Sequence, residues 1–572
     1  MEQLQHNLAV ARGEKPADIV FRNGRIVNVL SGEIHDGDVA VANGIVVGIG
    51  AYDGTEIVDC GGSYLAPGFL DGHIHLESTM LTVQEFCRAV VPHGTAGAVV
   101  DPHEFANVVG LDGIDYVLHA AELLPIELFV MMSSCVPATP LESAGAKLTA
   151  MDILTYTRKD HVAGVAEMMN FPGVFLGMES EIHKIHASSG KPVDGHAPGL
   201  SGPNLNAYIL AGVRSDHECT TLEEAREKLR RGMHILLREG TAERNLHDLL
   251  PLVTRENAAQ FSFATDDKHP ADLEEEGHID HHVREAISFG LDPMTVLQMA
   301  TINTARHYRL SEHGAIAPGR RANMILFDDL RDIRAREVYH EGRLAAQEGK
   351  ALFTAQSTPD LEKMKDTMHV DDSFNLEHLK VFQVPHSVIK VIDLVPGQII
   401  TTAATAPPKV ENDLVVADTD RDILKLVVIE RHHATGNVGH GFVRGFGLTR
   451  GALASTVAHD AHNIIVVGSN DLDMYVAALQ LIRLGGGQCV VEQGRVLEEL
   501  ALPIAGLVSD QPLHVVRQKV DDLNAAARQL GCTLPDPFMT LSFLALSPIP
   551  ALKVTDRGLV DAEKFELTSL FT

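Results

Sequence analysis

The chain has 572 residues, of which 45% are apolar and 22% charged, the composition of an ordinary folded protein. Its net charge of −30 repels nucleic-acid phosphates and anionic membranes, so neither is an expected partner. Length alone calls for about two to four domains, because single cores rarely grow past about 250–300 residues.

The six cysteines are scattered and form no C-x-x-C pair, which argues against a disulfide framework or a thiolate zinc site. The opening stretch MEQLQHNLAV lacks a basic flank, an apolar core and a cleavage pattern, and no run approaches about 20 apolar residues. No signal peptide, no transmembrane helix and a cytoplasmic location are therefore expected. Thirty histidines are many, and they raise the prior for metal or proton chemistry.

In chain order, residues 18–60 carry short strand-like runs punctuated by Asn23-Gly24 and Asn43-Gly44, both read as hairpin signals. From Leu65 the pattern changes. Runs at 97–101, 128–133, 162–168, 193–196, 215–217, 234–238 and 260–265 alternate with helical stretches such as 82–93, 110–123, 221–232 and 246–257. Alternation over this length predicts an α/β fold with a (β/α)8 TIM-like barrel; the other reading is a doubly wound open sheet. A β-type signal returns near 312–350, so residues 1–65 and 312–352 are expected to form one discontinuous β-sandwich beside a barrel of 66–311. Residues 353–372 read as a linker, and 373–572 as an additional C-terminal α+β domain.

The strongest local signal is Pro67-Gly68-Phe69-Leu70-Asp71-Gly72-His73-Ile74-His75. Two histidines one residue apart at a strand end share a side and can reach one ion. Partners must come from later strand ends, since a barrel gathers those at one mouth. Glu167, His196, His217 and Asp266 all stand there, giving four histidines and two carboxylates, enough for a two-metal site that generates hydroxide. Singly, each is more often an ordinary core or loop residue.

The P-G-F-x-D-x-H-x-H stretch resembles the first-strand signature of the amidohydrolase superfamily. Further stretches resemble its adenine deaminase family: Asp101-Pro102-His103-Glu104, Ser134 to Thr139, Ala166 to Val174, Asp194 to Leu200, Thr265 to Pro270, Gly436 to Leu448 and Ala458 to Asn463. The resemblance implies a metal-dependent hydrolase acting on carbon–nitrogen bonds in cyclic amidines. It would convert adenine to hypoxanthine and ammonia, in purine salvage, by attack of a metal-bound hydroxide on C6. It implies two divalent ions (manganese, iron or zinc, with manganese favoured). His73, His75 and Asp266 would hold the more buried ion and His196 and His217 the other. Glu167 stands where many relatives carry a carboxylated lysine, and no lysine lies in 162–170.

Departure of the amine as ammonia needs a proton donor. Asp266 is the first choice of shuttle; Glu218 and Glu77 are candidates for a second acid or for contacts to ring nitrogens, against the plainer reading of supporting carboxylates. His103 and Glu104 read as groups that orient ligands or wall the site. His269, His278 and Glu274-Glu275-Glu276 read as a solvated loop or lid and helix face. The Gly-rich run after Arg431-His432-His433 lacks G-K-[ST], a weak case for a phosphate loop. His459 and His462 read as interface packing or a lid over the mouth. The alternatives are an amidohydrolase acting on a cyclic amide or a different aminopurine, and a metal-free scaffold. A homodimer is the expected assembly.

Overall fold

The computed structural model describes residues 1–356, 358–396 and 398–572. Among them no helix is long and apolar enough to cross a membrane. The architecture is α/β, with an extra β unit and a C-terminal unit packed around a set of parallel strands.

The parallel strands are β1 (Phe69–Ile74), β2 (Thr95–Val100), β3 (Glu127–Met132), β4 (Val162–Met168), β5 (Val193–Gly195), β6 (Ser215–Asp216), β7 (His234–Arg238) and β8 (Phe261–Ala264). They lie in a five-stranded sheet, β1 to β5, and a three-stranded sheet, β6 to β8. All eight are buried along their length, as parallel strands flanked by helices must be. Backbone hydrogen bonds cross both seams. Asp266 N donates to His73 O at 2.9 Å and Arg214 N to Val193 O at 3.2 Å. Asp71 explains part of the opening motif. Its carboxylate accepts from the Thr265 N–H at 3.2 Å and the Thr265 hydroxyl at 2.5 Å, stitching β1 to the end of β8.

The segments before and after these strands meet in one nine-stranded sheet. Tyr64–Pro67 pairs antiparallel with Met324–Phe327, joining the two ends of the chain segment that encloses the parallel strands. The two Asn-Gly pairs part company. Asn43-Gly44 is a two-residue hairpin between Glu33–Ala42 and Ile45–Ile49, with φ of 52° and 76°. Asn23-Gly24 is not a hairpin: it is a bulge inside the single strand Ala17–Asn28, where the register slips between Phe21 and Gly24.

The segment after 352 is not an extended spacer. Met364 is fully buried, and Arg431, also fully buried, donates to the Thr367 hydroxyl at 3.2 Å. The C-terminal part carries an eight-stranded sheet, covered by the helices Asp471–Leu484 and Leu513–Gln529. It docks on the parallel-strand unit at the strand-end side. Glu274 and Glu275 are exposed on the helix Pro270–Glu275, as expected of a solvated face, and from there pair with Arg517 of the C-terminal part, Glu274 at 2.6 Å.

Candidate metal centre

The six strand-end residues converge. His73 and His75 present their Nε2 atoms 3.2 Å apart, and Asp266 Oδ1 lies 3.6 Å from the first and 3.3 Å from the second. Glu167, at the end of β4, points one oxygen each way. Its Oε1 is 3.3 Å from His75 Nε2, and its Oε2 is 2.7 Å from His196 Nδ1 and 3.3 Å from His217 Nε2. All six are at most 7% exposed. Two imidazole nitrogens face to face in a dry site repel unless a proton or a cation lies between them. His196 Nδ1 and His217 Nε2 are the ring nitrogens turned toward Glu167, the atoms an ion there would meet.

These residues fit divalent ions. Donor atoms of His73, His75 and Asp266, and of His73, Glu167 and His217, fall within 4.8 Å of one another. His75 is also set up as a ligand. Its Nδ1 donates to the Asp101 carbonyl at 3.0 Å, which leaves Nε2 with a free lone pair toward the cluster. Asp266 adopts φ of 58°, a left-handed conformation that aspartate tolerates better than most residues and that is often found at functional sites.

Electrostatics keep the carboxylates ionised. Burial pushes the Glu167 carboxyl up, but His196, His217 and His75 outweigh it and hold it well below the usual range. Burial likewise opposes ionisation of Asp266, which His73, His75, His217 and Arg238 overcome.

Arg238, at the end of β7, is the residue that sequence reasoning missed. Its guanidinium donates to Glu218 Oε1 at 2.5 Å and to Asp266 Oδ2 at 2.8 Å, clamping both against the cluster. The signal was its strand-end position, obscured because an arginine there also reads as a surface residue. Glu218 Oε1 lies 3.3 Å from His217 Nε2 and lines the cavity beside the cluster. Lys228, fully buried, underpins β5 and β6: it donates to Asp216 at 2.9 Å and to the Ala197 carbonyl at 2.7 Å, next to both His196 and His217.

Other expectations shift. Glu77 does not line the cavity; its Oε1 accepts from the Phe105 N–H at 2.9 Å, and burial, with Glu104 adding, pushes its carboxyl up to about 8. His103 lines the cavity, its Nδ1 3.0 Å from Asp101 Oδ2 and 3.6 Å from Glu167 Oε1. His269 and His278 are buried rather than solvated. His278 Nε2 sits 3.0 Å from Asp71, and His269 Nδ1 3.2 Å from Asp536 of the C-terminal part. The Gly-rich run enters the strand Val438–Arg444, paired antiparallel with Ile423–Ile429, rather than a phosphate loop, and the fully buried Arg431 before it donates from Nη2 to the Ala505 carbonyl at 2.9 Å. His459 and Asp460 do reach the cavity from the C-terminal part.

Comparison with known proteins agrees along the whole length. Residues 64–374 match the amidohydrolase family and residues 398–566 the adenine deaminase C-terminal domain. The chain is 48% identical over 565 residues to an adenine deaminase of Dehalococcoides mccartyi (strain ATCC BAA-2100), covering 99% of this chain and 98% of that one. It is 49% identical over 568 residues to adenine deaminase 2 of Carboxydothermus hydrogenoformans, covering 99% of each. Among solved structures, one of an adenine deaminase aligns with 57% of this chain and 99% of its own at 16% identity and a TM-score of 0.45. The chain therefore belongs to the adenine deaminase family of the amidohydrolases.

Proposed function

We propose that the chain hydrolyses adenine to hypoxanthine and ammonia. The observation that carries this reading is Glu167, one carboxylate reaching paired histidines on both sides, in a chain related to adenine deaminases from end to end. His73, His75 and Asp266 would hold one divalent ion, His196 and His217 a second, and Glu167 both. Two such ions, when bound, lower the pKa of water so that hydroxide is available near neutral pH. Manganese is the proposed metal, with iron and zinc compatible with the same donors.

The chain's own groups then do three things. Met169, Ile399, Phe543 and Leu546 wall the cavity with apolar side chains that exclude water and suit a flat base. Asp266 takes the proton of the attacking water and returns it to the leaving amine, which departs as ammonia because an amide anion is far too basic. Arg238 holds the Asp266 carboxylate by one oxygen and leaves the other facing the cluster. Glu218, fixed by the same guanidinium, accepts a hydrogen bond from the amine or ring edge of the base. Glu77, away from the cavity, supports the Phe105 backbone.

In the same reading the five- and three-stranded parallel sheets are one (β/α)8 barrel over residues 66–311. The β-sandwich comprises 1–65 and 312–352, a connecting segment 353–372, and the C-terminal domain 373–572. A homodimer is proposed, checked by light scattering. The activity is tested with protein reconstituted with manganese, iron or zinc. Adenine absorbance should fall with equimolar ammonia release, and adenosine should be a far poorer substrate. No ammonia from adenine with any of the three metals would overturn the proposal.

A further inference from the structure

A second polar wall reaches the cavity from the C-terminal part. His459 is 4% exposed, lines the cavity, and stacks on Phe543 with ring centroids 5.0 Å apart and planes 17° apart. Its Nδ1 lies 3.1 Å from Glu104 Oε1, at the start of the helix after β2, and its Nε2 has no hydrogen-bond partner. An imidazole held by a carboxylate on one nitrogen and by a ring on its face has one place left to act, its other nitrogen.

Glu104, His459 and His462 bring donor atoms within 4.8 Å of one another, which invites a third metal. The hydrogen bonds oppose it. His462 Nδ1 accepts the Ala458 N–H at 3.1 Å, so the proton of the neutral ring sits on Nε2, the atom that faces Glu104 Oε2 at 4.0 Å. A nitrogen that carries the proton has no lone pair for an ion. The cluster is thus a polar bracket around His459.

The rest of the wall is fixed too. Lys553, buried, donates to the carbonyls of Ile399 at 2.7 Å and Phe543 at 2.9 Å, tying together two of the apolar residues that flank His459. A slot with apolar faces and one fixed polar nitrogen matches a heteroaromatic base, whose ring nitrogens present hydrogen-bonding sites in the plane between two π-faces.

We propose that His459 is a substrate-binding residue supplied by the C-terminal domain, its Nε2 hydrogen-bonded to a ring nitrogen of the purine while C6 faces the strand-end cluster. This rests on the adenine reading above. Glu104 acts through His459 and is a positioning residue.

The test uses manganese-loaded full-length protein, adenine as substrate, and 1-, 3- and 7-deazaadenine as competitive inhibitors, each lacking one ring nitrogen. The variant is His459→Phe, which keeps an aromatic ring over Phe543 but removes Nε2. For wild type, one of the three analogues should bind about ten- to hundredfold more weakly than the others, the range for losing one hydrogen bond in a buried site. His459→Phe should raise KM for adenine by a similar factor at unchanged metal content, and should no longer discriminate against that analogue. Glu104→Ala should show the same loss of discrimination, with Glu104→Gln restoring most of it through its amide oxygen.

Equal binding of all three analogues by wild type would overturn the proposal without any variant. So would a His459→Phe enzyme that retains wild-type KM and discrimination. Wild type that releases no ammonia from adenine would overturn the underlying activity instead.

Discussion

In the proposed mechanism Asp266 moves the proton and Arg238 holds that carboxylate in place. Asp266→Asn keeps the shape and the hydrogen bond to Arg238 but loses the basic oxygen, so kcat at saturating metal should fall by about 10²–10⁴. Substantial residual turnover in a metal-loaded variant would remove Asp266 from the proton path. Arg238 touches two buried carboxylates at once. Arg238→Met strands both and should cost about 3–5 kcal/mol in stability by denaturant unfolding. Arg238→Lys should not rescue activity, because an ammonium on a flexible stem lacks the planar fork that spans Glu218 and Asp266. The ligand candidates were legible at this scale because H-x-H and single acidic or imidazole residues closed successive β-runs, a pattern that carries meaning once the strands are parallel. Arg238, Asp101 and Asp71 were not. Arg238 and Asp71 act on Glu218, Asp266 and Thr265 elsewhere in the chain, Asp101 on Ser133 as well as on nearby His103, and nothing local in the sequence separates a clamping arginine from a solvated one.

At the level of elements, the βα alternation was readable because fully buried parallel strands appear as short apolar runs between amphipathic helices. The helix Asp471–Leu484 begins and ends where its Asn470 cap and Gly485 place it. The two Asn-Gly pairs show the limit. Both provide residues that tolerate positive φ, but only the pairing of flanking strands decides between a hairpin at 43–44 and a bulge at 23–24. Elements also carry ligands through their undersides. Lys228 anchors the helix Leu222–Arg230 to the ends of β5 and β6 through Asp216 and the Ala197 carbonyl, and pairs within its own helix with Glu224. Lys228→Met should therefore destabilise the fold by about 3 kcal/mol or more. It should also lower affinity for the ion held by His196 and His217 more than for the other, read by metal titration of the variant.

Across the whole molecule, the C-terminal part is a component of the cavity, joined to the strand-end side by contacts such as His433 Nε2 to the Ala144 carbonyl at 2.9 Å. Sequence reading expected a domain there and a lid or interface at His459 and His462, but not the contacts that hold it, since docking depends on residues hundreds of positions apart. His269 was misjudged for the same reason, since Asp536 of the C-terminal part covers it, whereas His278 is buried against Asp71 and Thr95 of the parallel-strand unit itself. Lys553, tied to Ile399 and Phe543 inside the C-terminal part, gives that part a pH signature. Burial, with no carboxylate beside it, lowers the Lys553 amine from 10.5 to about 7. In the unfolded chain it stays protonated up to its ordinary value, so between about pH 7 and 10.5 the unfolded state binds the extra proton and stability rises with pH. Wild type should gain thermal stability relative to Lys553→Met between pH 7 and 9, by up to about 1.4 kcal/mol per pH unit. A pH-independent difference between the two would show that the amine is not desolvated.

The central claim, that six side chains from five strand ends build a two-ion centre around Glu167, is tested most directly by adding manganese to chelated protein while following adenine turnover. Activity should rise to a plateau at two equivalents per chain in wild type, and Glu167→Gln should lose both the second equivalent and the activity. Full turnover of adenine by metal-free protein, or unchanged stoichiometry and rate in Glu167→Gln, would contradict it.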